Sequence, residues 1–153
     1  MLSVLRFLWK KPKQFFTPSS ELFDSMVGEG AEVHGRLVAS KSIRIDGSVY
    51  GSVEIPDGER NVTVAIGVNG KVFGDIKSYR VLVAGMVEGK IYATERVELH
   101  KQASVKGDIT YNDIGIEPGA QVVGFVMKRV GKKNEPADAD NVVVTKFSKL
   151  EVK

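Results

Sequence analysis

The stretch VHGRLVASKSIRIDGSVYGSV, residues 33–53, holds two copies of one short phrase: an apolar residue, any residue, Gly, any residue and a second apolar residue. A β-type phrase that returns at regular intervals is typical of a solenoid, in which each repeat stacks on the one before it. The phrase therefore predicts the fold of most of the chain. It occurs six times, at residues 33–37, 49–53, 72–76, 87–91, 105–109 and 122–126.

The phrases alternate with a second type of short strand, in which two apolar residues lie two positions apart. A period of two places both side chains on the same face of a strand. Val and Ile fill most of these positions, and their stiff branched side chains stack well on a pleated surface. The pairs are Ile43 and Ile45, Val64 and Ile66, Val81 and Val83, Val97 and Leu99, and Ile114 and Ile116.

The distance between successive phrases sets the length of one turn. Their central glycines are separated by 16, 23, 15, 18 and 17 residues. The long step contains PDGERN, residues 56–61, which has the composition of an inserted loop. A step of about 17 residues fits three short strands, with successive turns about 4.8 Å apart. We therefore expect an all-β, single-stranded parallel β-helix of about six turns, on the order of 30 Å long.

The nearest structural alternative is the left-handed hexapeptide helix of acyltransferases, which would make the chain an enzyme. IGVNGKV, residues 66–72, and IEPGAQV, residues 116–122, look like single hexapeptide units because apolar residues lie six positions apart. However, only four positions separate Ile45 from Val49. A strict sixfold repeat does not accommodate such a step.

Charge and composition argue against several classes of function. Residues 30–127 hold 11 basic and 12 acidic side chains, so the concentrated basic face that nucleic acids require is not expected. The chain has no Cys and only two His, His34 and His100, so we expect no metal and no cofactor. The acidic residues are scattered over outward and turn positions, and no catalytic set is apparent. We therefore expect a protein that is not an enzyme.

Three longer stretches resemble the central domain of the bactofilins, bacterial polymer-forming cytoskeletal proteins: DGSVYGSVEI, GKVFGDIKSYRVLVAGMVEGKIYATERVEL and ASVKGDITYNDIGIEPGAQVVGFV. The similarity covers residues 30–127. It implies a right-handed β-helix with a triangular core and assembly into filaments without nucleotide. It also implies a scaffold at the cell envelope, linked to cell shape, whose partners are further copies of itself and wall-modifying enzymes or other envelope proteins.

Elementary physics also favours assembly, because each end turn of an open β-helix has unpaired backbone groups and a partly exposed apolar floor. We see no amphipathic helix beside residues 30–127 that is long enough to cap an end. Copies that stack end to end satisfy both ends, and repetition of that contact makes a filament. If each end pairs with itself, as the resemblance implies, head-to-head and tail-to-tail contacts alternate. The residues predicted to form the polymer interface are Val33, Leu37, Val122, Phe125 and Val126.

Phe125 is the strongest single candidate for that interface. It stands in the last phrase at a position where the earlier phrases carry Arg, Ser, Asp, Lys and Asp. An aromatic side chain at an otherwise polar position indicates a surface that another molecule covers. The resemblance also implies an aromatic residue critical for polymerisation near the last turn. The alternative is that Phe125 seals the core of its own turn.

The N-terminal segment, residues 1–13, combines apolar and cationic side chains and contains no acidic one. It is too short to span a bilayer, and its cations mostly follow the apolar run, unlike those of a secretory signal. Such a segment suits the headgroup layer of an anionic membrane, where each cation adds about 1 kcal/mol of binding free energy. The predicted membrane-binding residues are Leu2, Val4, Leu5, Arg6, Phe7, Leu8, Trp9, Lys10 and Lys11.

Several bactofilins attach to membranes through a short N-terminal peptide, so the resemblance implies the same role for this segment. We therefore expect a cytoplasmic protein that associates peripherally with the inner membrane. The alternative is that residues 1–13 fold back onto the rod or over one of its ends.

The remaining flanks are predicted to lack regular structure. Residues 14–29 are expected to form a linker, because Pro18 and the Ser pair after it discourage a long helix. Residues 128–153 hold 7 basic and 4 acidic side chains and are expected to form a disordered basic tail. The alternation in residues 142–153 leaves open that this part pairs with a partner as a strand.

Overall fold

The computed structural model describes residues 22–130 and the path of one further strand at residues 142–151. Within that part of the chain all regular structure is β, and no helix occurs. Fifteen strands wind into six successive three-sided turns, and the sixteenth runs along the last turn. The structure therefore confirms the predicted parallel β-helix of about six turns.

The first three turns consist mainly of strands of two to four residues. Turn 1 contains β1 (Ser25–Val27), β2 (Glu32–His34) and β3 (Leu37–Val38). Turn 2 contains β4 (Ile43–Ile45), β5 (Ser48–Tyr50) and β6 (Val53–Glu54). Turn 3 contains β7 (Thr63–Ile66), β8 (Lys71–Phe73) and the first half of β9 (Ile76–Val83).

In the last three turns the longer strands pass from one side of the rod to the next. Turn 4 contains the second half of β9, then β10 (Met86–Glu88) and the first half of β11 (Ile91–Leu99). Turn 5 contains the second half of β11, then β12 (Ser104–Lys106) and β13 (Ile109–Tyr111). Turn 6 contains β14 (Asp113–Ile116) and β15 (Gln121–Arg129), which covers two sides, and β16 (Val142–Glu151) runs beside β15.

Strands of successive turns pair in parallel, and the first apolar residue of each phrase aligns with that of the next. Val49, for example, pairs with Val33 on one edge and with Val72 on the other. The aligned positions are separated by 16, 23, 15, 18 and 17 residues, as predicted from the glycines. These unequal steps do not fit the strict sixfold coil of the acyltransferase alternative.

The core is a column of branched side chains that runs through all six turns. Val49, Val72 and Val87 are aligned on one side and are fully buried. Such stacking lets each turn bury its apolar face against its neighbours, which a single turn does not achieve alone. In the two end turns four inward side chains are only partly buried, and these are Val33, Leu37, Ile114 and Ile116.

The central glycines of the phrases form one corner of the rod, which we call the glycine corner. From the sequence, either a positive φ angle or a lack of space could have required glycine there, and both reasons apply. Gly74 has a φ of +156°, and a Cβ on it would overlap the carbonyl oxygen of Gly51 in the preceding turn. Gly35 begins the column with a φ of +113°, and a Cβ there would have nothing within 4 Å.

The inserted loop, residues 56–61, leaves the pairing of turn 2 intact. It lies between β6 and β7, where it bulges from one corner. On one side of it Val53 pairs with Ile76, and on the other Ile43 pairs with Val64. The loop therefore lengthens one corner without shifting the register of the sheet.

Two strands lie in segments for which we expected no regular structure. β1 lies inside the predicted linker of residues 14–29, because Val27 packs on the core and β1 pairs with β4. β16 lies inside the predicted disordered tail, because the free edge of β15 offers it a partner. Residues 1–21, 131–141 and 152–153 are outside the described residues, and the predictions for them stay predictions.

Candidate assembly surfaces at the two ends of the rod

The N-terminal end of the rod presents strand edges that have no partner within the described residues. β1, β2 and β3 pair with β4, β5 and β6 along one edge only. The N–H of Leu37 donates to the Ser52 carbonyl at 2.8 Å, and that of Ala39 to the Glu54 carbonyl at 3.1 Å. Because hydrogen-bonding groups alternate between the two edges of a parallel strand, the N–H of Val38 points to the free edge.

The C-terminal end differs, because β16 occupies part of its edge. β16 pairs antiparallel with β15 from Arg129, opposite Val142, to Gln121, opposite Glu151. β15 forms two sides of turn 6, so both of those sides have a strand beside them. The third side, β14, pairs only with β11 in turn 5. Among the residues that the structure describes, one side of this end is therefore open, whereas all three sides of the N-terminal end are open.

The burial of the end turns follows this difference in strand pairing. Val122 and Val126, on β15, are 1% and 5% exposed. Ile114, on β14 of the same turn, is only partly buried, as is Val33 at the other end. Within turn 6 the apolar floor is thus covered on the sides where β16 runs and partly exposed beside β14.

Phe125 lies on the outer wall of the last turn. Its side chain is 42% exposed and does not belong to the core, so it does not seal its own turn. Its backbone N–H donates to Oδ1 of Asp108 at 3.1 Å, and Lys146 of β16 lies opposite it in register. An exposed aromatic at the rim of an end surface remains available for contact with another copy.

The predicted interface residues do not meet within one molecule. Val33 and Leu37 lie in turn 1, whereas Val122, Phe125 and Val126 lie in turn 6. The two groups therefore belong to the end turns at opposite ends of the rod, and their part in a polymer interface stays a prediction. The predicted membrane-binding residues, Leu2 to Lys11, are outside the described part of the chain.

One surface feature was missed from the sequence, a stack of three rings on the side of the rod. The ring centroids of His34 and Tyr50 are 4.8 Å apart, and those of Tyr50 and Phe73 are 5.1 Å apart. The planes are within 11° and 7° of parallel. All three residues immediately precede the glycine of their phrase, so aligning the phrases would have predicted that the rings stack.

An ion pair ties turn 1 to turn 2 beside the N-terminal end. Nε of Arg36 donates to Oε2 of Glu54 at 2.8 Å. This hydrogen bond stabilises the charged form of both groups, so the pKa of Glu54 is lowered and that of Arg36 is raised. Both side chains face solvent, so the pair helps to orient the first turn and contributes little to overall stability.

Some ionisable groups of the rod make contacts from one turn to the next. Oδ1 of Asp75 accepts a hydrogen bond from the backbone N–H of Lys90 at 2.8 Å, one turn later at the glycine corner. Nδ1 of His100 lies 3.7 Å from Oε2 of Glu117. Residues 22–130 contain no group of three or more His, Asp or Glu residues arranged to hold a metal ion. No helix capable of crossing a membrane occurs in the part of the chain that the structure describes.

A comparison with protein families matches this rod directly. The model of the family described as "Bactofilin: Polymer-forming cytoskeletal" matches residues 25–127, which begin with β1 and run into β15. The chain belongs to the bactofilin family. The match covers all six turns of the bactofilin rod and ends before β16.

Two curated bactofilins of Myxococcus xanthus (strain DK1622) are similar to the chain. Bactofilin BacP is 30% identical over 126 residues, which make up 82% of this chain and 50% of BacP. Bactofilin BacO is 29% identical over 103 residues, which make up 67% of this chain and 78% of BacO. The chain thus spans about half the length of one relative and most of the other. No solved structure was found to match it.

Membership of the family places the chain among polymer-forming cytoskeletal proteins rather than among enzymes. Self-association is the property that the family description names. Within the described part of the chain, backbone pairing is incomplete at the two ends of the rod, and these ends are the candidate sites for that association.

Proposed function

We propose that this bactofilin assembles end to end, without nucleotide, into filaments that form a scaffold on the cytoplasmic face of the inner membrane. The observation that carries the proposal is the N-terminal end, where three strands each have one edge without a partner within the described residues, beside the partly buried Val33 and Leu37. A free strand edge is a template for another strand. The end turn of a second copy offers three strands with the same lengths and spacing.

The walls of the rod are less suited than its ends to a contact that repeats along an axis. Along the walls the strands already pair with the turns on both sides, from turn 2 to turn 5. Cross-turn ion pairs, such as that of Lys106 with Glu88 at 3.1 Å, leave the wall polar. Each end can contact the same end of another copy, and such a contact is self-complementary. When head-to-head and tail-to-tail contacts alternate, the filament grows without limit.

Assembly without nucleotide agrees with the absence of a phosphate-binding loop in the rod. The stretch GVNG, residues 67–70, is the only candidate from the sequence, and it forms the corner between β7 and β8. A phosphate loop would place a helix after the glycines, and a strand follows here. The free energy of assembly then comes from strand pairing and apolar burial at the ends.

Attachment to the membrane is proposed for residues 1–13, on the strength of their apolar and cationic composition. One such segment binds weakly, but a filament presents many of them to the same surface, so their affinities combine. A filament held in this way offers a scaffold for wall-modifying enzymes or other envelope proteins and for the control of cell shape.

The end-to-end contact is tested by blocking the free edge of turn 1. Val38→Pro removes one backbone donor from that edge, and Val38→Ala is the matched control that retains it. Without nucleotide, we expect the control to form filaments in negative-stain electron microscopy. The proline variant should fold, by circular dichroism, yet stop at pairs of molecules or fewer. Proline-variant filaments as long as those of the control would contradict the proposal.

A further inference from the structure

β16 stands in the place that another copy of the chain would take at the C-terminal end. It runs beside β15 over eight aligned positions, with one irregularity between Val122 and Gly124. The other edge of β15 is already paired with β12 and β13 of turn 5. A strand has only two edges, so β16 and a second molecule compete for the remaining edge of β15.

The burial of turn 6 shows what this strand does for the lone molecule. On the two sides where β16 runs, Val122 and Val126 are almost fully buried. On the side without it, Ile114 and Ile116 stay partly buried, although they belong to the same turn. All four side chains belong to turn 6, and they differ in whether β16 runs beside their strand. We therefore attribute the difference in their burial to β16.

The connection between β15 and β16 is long in sequence. Twelve residues separate Arg129 from Val142, and they include GKKNEPADADN, a polar stretch at residues 131–141. A connection of this length gives β16 a high effective concentration beside β15 without fixing it there. The strand also lies outside residues 25–127, the part of the chain that matches the bactofilin family.

We infer that β16 is a removable cap on the C-terminal end of the rod. In the lone molecule it covers two sides of turn 6, and tail-to-tail contact with a second copy forms only when it leaves. The N-terminal end has no such strand within the described residues, so the proposed cap acts on the tail-to-tail contact and not on the head-to-head contact. This inference rests on the proposed end-to-end assembly and adds to it a control step at one end.

The cap changes the concentration at which filaments form. Only uncapped molecules extend a filament at the tail, so the apparent affinity of that contact falls with the uncapped fraction. A cap closed in about nine molecules of ten weakens the contact about tenfold. Capped molecules should accumulate as pairs joined through their N-terminal ends before filaments appear.

The first experiment opens the cap in the full chain. Val143→Pro combined with Val144→Pro disrupts the pairing of β16, because two consecutive prolines remove a donor from each edge of the strand. Ala137→Pro combined with Asp138→Pro, before β16, is the matched control. We expect the first variant to lower the critical concentration for filaments about tenfold, measured by sedimentation, and the control to leave it unchanged. An unchanged or higher value for the first variant would overturn the inference.

The second experiment closes the cap with a disulfide. Met127 and Val144 are directly opposite in an antiparallel pair, where Cα atoms lie about 4.5–5.5 Å apart, within the range of a disulfide. The chain has no Cys of its own, so Met127→Cys with Val144→Cys forms one defined bond. We expect the oxidised protein to stop at pairs and the reduced protein to form filaments. Equal filament formation in both states would contradict a cap.

Hydrogen exchange separates failure of the cap from failure of the proposed function. If neither the unaltered chain nor the double-proline variant forms polymer, end-to-end assembly is wrong, and exchange of the amides of residues 121–129 then tests the cap alone. Slower exchange in the unaltered chain than in the double-proline variant supports β16 as a cap. Equal exchange rates in the two proteins would reject it.

Discussion

Gly74 shows how one residue type holds the turns together. Glycine adopts its φ of +156° readily, whereas other residues are strained at that angle. A Cβ at this position would also overlap the carbonyl oxygen of Gly51. Its backbone N–H donates to the carbonyl of Glu88 at 2.9 Å, so the same position also links two turns. The sequence indicated that these glycines were needed, but only the aligned turns show that each lies directly on the one before it.

This stacking predicts that glycines within the column are less replaceable than the one that begins it. Gly74→Ala adds overlap to backbone strain and should lower the free energy of unfolding by about 3 kcal/mol or more. Gly35→Ala adds only the strain of a positive φ, which costs about 1–2 kcal/mol. Denaturant unfolding, followed by circular dichroism, measures both values. An equal loss for the two variants would show that overlap between turns does not matter.

Phe125 carries the prediction for the C-terminal surface. Phe125→Arg places a charge at the rim of turn 6 and should abolish sedimentable polymer without unfolding the rod, because the side chain lies outside the core. Val68→Arg is the matched control, since Val68 is an exposed apolar residue in a corner of turn 3. The control should polymerise normally. Normal filaments of the Phe125 variant by electron microscopy would remove this residue from the interface.

At the scale of strands, register was the most predictable property. The period of two in Val and Ile fixed which side chains point inward, and the spacing of the phrases fixed which turns align. The ring stack of His34, Tyr50 and Phe73 follows from the same alignment. Predicting it requires a comparison of the outward-facing residues of successive phrases as well as the inward-facing ones. β16 was not predicted, because its alternation is partial and its partner is a free edge created by the fold.

The inserted loop allows a direct test of register. Val81 lies five positions after Ile76 across the corresponding corner of the next turn, and Val64 lies eleven positions after Val53. Deletion of residues 56–61 restores the shorter spacing, so the rod should keep its fold and its polymer. Deletion of residues 91–96 instead removes six residues from β11 and should abolish both. Circular dichroism measures whether each variant folds, and sedimentation measures whether it polymerises. If the variant without residues 56–61 does not fold, the assigned register is contradicted.

At the scale of the whole molecule, the basic charge lies outside the rod. Residues 30–127 are nearly balanced, while residues 1–13 contain Arg6, Lys10, Lys11 and Lys13 and no acidic side chain. This separation suits a protein that polymerises through a neutral rod and contacts an anionic surface through a flank.

Deletion of residues 2–9 tests that division of roles. The shortened chain should form filaments as before, since the rod is untouched, but should no longer sediment with vesicles that contain anionic lipid. Deletion of residues 14–21, of the same length, is the control and should retain vesicle binding. Vesicle binding that survives the first deletion would reject residues 2–9 as the anchor.

The orientation of the strands within the filament is the most direct test of end-to-end stacking. If rods stack along their axes, strands lie across the filament, and cryo-electron microscopy should show a meridional reflection near 4.8 Å. Six turns at that spacing give an advance on the order of 30 Å for each molecule. A 4.8 Å reflection on the equator would mean that rods associate through their walls, and it would contradict assembly through the ends.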